Sequence, residues 1–237
     1  MNNIFSPKSL FKILIVTSLI FLYNCSELAF KKGIDKGIIE YSISYPKIEA
    51  GSYLLDLMPK KMETTFSKGN FRSDIVAGMG LFKTSIIFEK DKSVLIHSIK
   101  MLNKKYASTL NVEELKAFNP DFQEVEITPI DKTIDIAGFK CKGVSVKVLG
   151  DSSWTYNAYY TDDIKIANPN RHTPFKDIKG VLMQYEILSY DTHMKFTATK
   201  VSQVEVKEED IVLEEGYSMV SPAELKSEIE AIFATVK

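Results

Sequence analysis

Three histidines, His97, His172 and His193, and two cysteines, Cys25 and Cys141, are the side chains of this chain best suited to metal binding or nucleophilic chemistry. The histidines lie far apart, and no CxxC or HExxH pattern accompanies them, so ligand spacing gives no zinc signature. His97 falls in the middle of an alternating run and His172 in a long irregular stretch. Asp191 and His193 make one Asp-x-His, which is too common to specify a metal. A nucleophile elbow, a P-loop and a dinucleotide fingerprint are also missing. Cys141 stands between Lys140 and Lys142, which on a strand point away from it. Nothing there would activate the thiol, and a small buried apolar side chain is the expectation. Asp162-Asp163 and Glu208-Glu209-Asp210 are neighbouring carboxylates, but adjacent strand residues face opposite ways, so they suit solvated turns rather than acid–base pairs. The reactive groups therefore predict no catalysis, no metal and no cofactor.

Cys25 has a different setting. It ends an apolar run, Ile13 to Tyr23, that follows Lys8 and Lys12. The run is too short for the ~20 residues that cross a bilayer, and it fits the roughly 7–15-residue core of a secretory leader. Leu22-Tyr23-Asn24-Cys25 resembles the end of a bacterial lipoprotein signal peptide. Cleavage there would leave the cysteine carrying a thioether-linked diacylglycerol and an N-acyl chain such as palmitate. Ser26, rather than Asp, at the next position resembles lipoproteins passed to the outer membrane of a Gram-negative cell. The leaflet is left open. On this view residues 1–24 are removed, 25–36 form a tether, and the membrane partner is reached through acylated Cys25. A Cys25–Cys141 disulfide is the competing expectation in an exported chain, and the two exclude each other.

The 237 residues, 45% hydrophobic and 11% aromatic, are ample for one packed domain and exclude global disorder. Two of the 30 basic residues lie in the leader and none of the 31 acidic ones, so the remainder is mildly acidic. No concentrated basic face is present, and nucleic acid is not an expected partner.

The elements that would position these groups are mostly strands. Ile39, Tyr41, Ile43 and Tyr45 alternate with polar residues, as do Met62, Thr64 and Phe66, and then Phe71, Ser73 and Ile75 after a Ser67-Lys-Gly-Asn70 turn. Further strands are expected over Leu81–Glu89, Ser93–Ile99, Tyr106–Leu110, Phe122–Ile127, Thr133–Ile136, Val181–Tyr190 and His193–Val206. Asp91-Lys92 and Asp191-Thr192 would make two more turns. In residues 136–148, Phe139 and Cys141 occupy one parity and Val144, Val146 and Val148 the other, which calls for a bulge near Gly143. Trp154, Tyr156, Ala158 and Tyr160 alternate in the next strand, followed by an irregular loop, Lys165–Gly180. Asn111 with Glu114 forms a capping pair ahead of Leu115 and Phe118. Ser221-Pro-Ala-Glu224 starts a second, amphipathic helix carrying Leu225, Ile229, Ile232, Phe233 and Val236. The expected fold is mainly β. It is one domain over residues 37–237, a large curved antiparallel sheet of about ten or eleven strands, with one or two short helices and a carboxyl-terminal helix buried in its concavity.

The order of these motifs also resembles a family. Residues 136–142, the aromatic strand into Tyr159-Tyr-Thr-Asp-Asp-Ile164, and Pro174-Phe-Lys-Asp-Ile-Lys-Gly-Val-Leu-Met-Gln-Tyr-Glu186 are similar to uncharacterised envelope lipoproteins related to the GLPGLI-motif group. Ile178-Lys-Gly-Val-Leu-Met183 stands where the literal motif would be. The resemblance spans most of residues 38–217. It implies a half-barrel like the lipoprotein carriers LolA and LolB, whose concave apolar side holds acyl chains. A lipid or other hydrophobic ligand is then the expected small-molecule partner, with Leu54, Leu55, Leu57 and Met58 as a flap and Trp154 and Tyr156 as an aromatic platform. Plain core packing competes at each of these positions. A filled interior, with interaction through the rim loop 165–180, is the alternative function.

Overall fold

Ile39, Tyr41 and Ile43 bury one side of the strand they predict, β1 (Lys36–Ser44), and in the computed structural model that strand forms the middle of the sheet. The structure describes residues 33–90, 94–111, 114, 124–150, 154–189 and 192–234. The expected leader, Cys25, the expected turn residues Asp91, Lys92 and Asp191, Leu115 and Phe118 of the expected first helix, and Val236 lie outside them, as do the side chains of Ile232 and Phe233.

After β1 come a single helical turn α1 (Leu54–Leu57), β2 (Lys61–Ser67), β3 (Asn70–Ala77), β4 (Phe82–Glu89), β5 (Val94–Met101) and β6 (Lys104–Leu110). Then follow β7 (Val125–Ile136), β8 (Phe139–Val148), β9 (Thr155–Thr161), β10 (Val181–Ser189), β11 (Thr192–Ser202), β12 (Ser218–Met219) and α2 (Pro222–Ala234). All twelve strands join one sheet, in the order β12-β6-β5-β4-β3-β2-β1-β11-β10-β9-β8-β7, which does not close. Two antiparallel meanders, β1 to β6 and β7 to β11, meet where β1 pairs with β11. Among the described residues no helix is long and apolar enough to cross a membrane.

Several local expectations hold. Lys68 and Gly69, at φ 53° and 91°, make the two-residue turn between β2 and β3. Asn111 and Glu114 cap each other, with backbone N–H to side-chain oxygen distances of 2.9 and 2.8 Å. Ser221 Oγ accepts the Glu224 N–H at 3.2 Å, and Leu225 and Ile229 of α2 bury against Phe88, Leu95, Ile99 and Leu110.

Others need correction. The sheet has twelve strands and is mixed, because β12 adds a parallel two-residue pairing to β6. Val125–Ile127 and Thr133–Ile136, expected as parts of two strands, belong to one strand, β7, and Phe122 lies outside the described residues. The folded body begins earlier than residue 37: Ile34 is buried and bridges Ile164. β8 carries no bulge, since its register with β9 runs unbroken from Lys142–Tyr160 to Lys147–Thr155. The irregularity lies in β7, where Ile130, Asp131 and Lys132 bow out opposite Gly143. A Cβ on Gly143 would meet Ile130 Cγ1 and the Lys132 carbonyl oxygen at 2.9 Å, so only glycine admits that bow. Both parities of β8 are buried because both of its sides are covered. Phe139 and Cys141 join one apolar cluster, Val144 and Val146 another.

The chain after β11 wraps the sheet edge. Residues 203–217 run across the outer side, placing Leu213 and Tyr217 on Ile87, Ile96 and Ala107. β12 then pairs at the edge, and α2 turns onto the opposite side of the same strands. Neighbouring residues such as Ile87 and Phe88 thus serve different layers.

Candidate functional site

A cavity of about 420 Å³ lies on the inner side of the sheet. Its wall takes Leu95 of β5 and Ile229 of α2 from one end, Val125 of β7 and Val148 of β8 from the other, and Ile39 from the middle. Strands so far apart in the order share one cavity only because the sheet curls, as twist requires of a sheet this wide. The wall is mostly aliphatic and aromatic, and the volume falls within the roughly 300–1,000 Å³ of small-molecule sites.

The loop 165–180 closes part of this space. Ile166, Asn170, Phe175 and Ile178 are buried, and Asn170 Nδ2 donates to the Ile178 and Gly180 carbonyls at 2.7 and 2.9 Å. Apolar side chains of this loop point inward, so it covers part of the cavity. Phe175 meets the edge of Tyr185, which stacks on Phe196 with ring centres 5.0 Å apart.

The predicted ligand residues divide. Met58 and Tyr156 line the cavity, and the Tyr156 hydroxyl donates to the Glu186 carbonyl at 2.7 Å. Leu55 packs on the main apolar cluster without lining the cavity. Leu54 is half-buried off the wall, and Leu57 is 55% exposed, because a one-turn helix cannot turn every leucine inward. Trp154 is not part of the wall either. It lies just before β9, stacked on His193 at 4.2 Å and edge-on to Tyr156. Cys141 is fully buried with its Sγ donating to the Phe139 carbonyl, and burial pushes the thiol up to about 12, which leaves no thiolate for chemistry.

The curl also brings His97 and His172 to one wall, although they are 75 residues apart in sequence. His97 could have been placed there, since it shares parity with the inward Leu95 and Ile99. His172 could not, because a loop has no periodicity. His97 Nε2 lies 2.9 Å from Thr84 Oγ1, and Glu186 Oε2 lies 2.8 Å from His193 Nε2. Among the described residues no three His, Cys, Asp or Glu side chains are grouped to hold a metal ion.

Burial drives the His97 imidazole down from 6.5 to about 4. The unfolded chain therefore binds this proton more readily, and between pH 6.5 and 4 stability falls as pH falls. The full effect is about 3 kcal/mol, at 1.36 kcal/mol per pKa unit. Urea unfolding across this range should show the loss in the native chain, and His97→Leu should flatten it. An unchanged slope would place the titration elsewhere.

No family model matches this sequence, and no curated protein matches it.

Proposed function

We propose that this chain is an exported lipoprotein, held in the outer membrane of a Gram-negative cell through acylated Cys25, that binds one apolar ligand in the concavity of a LolA-like half-barrel. The observation that carries the binding half is the largely apolar cavity of about 420 Å³ lined by sheet, loop and helix. The anchor rests on the lysine-flanked apolar leader ending at Cys25. The reading is of a binder rather than an enzyme: Glu186 is engaged by His193 and His97 by Thr84.

Full-length protein, expressed in a Gram-negative host and extracted from its membranes, tests both halves. Intact mass should show loss of residues 1–24 and gain of three acyl chains, and Cys25→Ser should abolish the gain. The neutral fluorophore N-phenyl-1-naphthylamine should bind with enhanced emission. Ile86→Trp, which adds bulk to the cavity wall, should weaken it by about tenfold, or 1.4 kcal/mol. Emission indifferent to both the protein and this variant would remove the ligand-binding reading. A retained first methionine would remove the anchor.

A further inference from the structure

We infer that the cavity selects an uncharged amphiphile, an alkyl chain whose head is a hydroxyl, ester or amide seated against the imidazole of His172. This rests on the ligand-binding reading above and narrows it to a chemical class.

The first observation is electrostatic. Among the described residues no lysine or arginine lines the cavity, and the one acidic side chain they place on its wall is Glu186. A carboxylate or phosphate drawn inside would lose its water with no cation to replace it, beside a side chain of the same sign. An anionic head is therefore disfavoured within, while an alkyl chain is favoured by most of the wall.

The second observation concerns hydrogen-bonding capacity. Most polar side chains on the wall are spent on one another or on backbone. Thr64 Oγ1 lies 2.8 Å from Ser73 Oγ, Thr84 meets His97, Asn170 holds two carbonyls, and Glu186 meets His193. His172 differs: both of its ring nitrogens are buried, and neither has a hydrogen-bond partner among the described residues. Buried polar atoms are nearly always paired, so this ring is an unused recognition group on the wall. Burial and the neighbouring Arg171 charge both lower its pKa, which keeps the ring neutral. A neutral imidazole offers one donor and one acceptor, the complement of a hydroxyl or an ester. The ring is held in place: it packs against Phe88 with centres 5.8 Å apart, and Asn170 pins its loop. At about 30 Å³ per water-sized group, the cavity admits a chain on the order of a dozen carbons.

The test uses the full chain at pH 8, with N-phenyl-1-naphthylamine displaced by 1-dodecanol, dodecane or laurate. Dodecanol should compete at least about tenfold more tightly than laurate, a difference of one decade in Kd. His172→Phe keeps the ring volume and removes both nitrogens; it should bring dodecanol to the affinity of dodecane. His172→Asn, which retains a donor and an acceptor, should keep the preference for the alcohol. Equal competition by laurate and dodecanol, or a His172→Phe chain that still prefers the alcohol to the alkane, overturns this inference and leaves the binding reading intact. Failure of the native chain to bind the probe at all overturns both.

Discussion

Truncating Phe196 to alanine is expected to lower stability by about 3–5 kcal/mol, the range for a fully buried phenylalanine. Phe196 is 1% exposed and sits on β11, the strand through which the two meanders join. Its register partner on β10 is Tyr185, and the two rings lie nearly parallel, 7° apart. Aromatic contact of this kind adds to simple area burial. The phenyl ring also borders the cavity, so the space left behind joins an existing one rather than closing by collapse. That geometry puts the cost toward the upper part of the range. Phe196→Leu, which keeps much of the volume, should lose less than half as much. Urea midpoints with unchanged slopes would measure both losses. A decrease below about 1 kcal/mol for the alanine variant would mean that the junction carries little of the core's packing.

The strand content was legible because period-two alternation is a local property. Ile39, Tyr41 and Ile43 give β1 on sight, and Ser221, Pro222 and Glu224 announce α2 before any partner is known. What escaped was whatever depends on distant residues. β12 is two residues long, shorter than one period of alternation, and exists only because the edge of β6 receives it. The break of phase at Gly143 was visible, but the cause sits on the neighbouring strand, in the bow of residues 130–132. Covering both sides of β8 satisfies both parities without a bulge. For the site, parity served Tyr156 and would have served His97. It misled at Trp154, whose ring leaves the strand pattern to stack on His193. Leu54 to Met58 carried the right composition, yet a single turn presents Met58 to the cavity and Leu57 to water. His172 comes to the wall through the path of an irregular loop, which no spacing rule anticipates.

Replacing Arg72 with methionine is expected to cost about 3–5 kcal/mol, because it breaks a buried ionic network and leaves the acids behind. The Arg72 side chain is 5% exposed. Its Nε donates to Asp74 at 2.9 Å, Nη2 to Glu214 at 2.8 Å, and Nη1 to the Val212 carbonyl at 3.0 Å. One guanidinium thus ties β3 to the outer segment that leads to β12 and α2, and Lys83 reinforces it by reaching both acids. Burial pushes the Asp74 carboxyl up, but the nearby Ser85 hydroxyl, the hydrogen bonds from Arg72 and the charges of Arg72 and Lys83 outweigh it and hold the group below its ordinary value. Glu214 is lowered against burial in the same way, by Lys83 and Arg72. Carboxyls depressed on folding stabilise the protein above the ordinary carboxylate range, and that support is lost as pH falls through the lowered values. Arg72→Met should remove most of this acid dependence, which lies below the window assigned to His97. The damage should also be local. The Val220 N–H, bonded to the Ala107 carbonyl at 2.9 Å, should exchange with solvent faster, whereas the Val148 N–H, bonded to the Trp154 carbonyl on the far meander, should keep its protection. Combining Arg72→Met with Asp74→Leu should recover part of the loss, since the acid left buried is then removed as well. Equal acceleration at both amides would mean that the outer segment and the sheet open as one unit, and that Arg72 secures the whole fold rather than its wrapped edge.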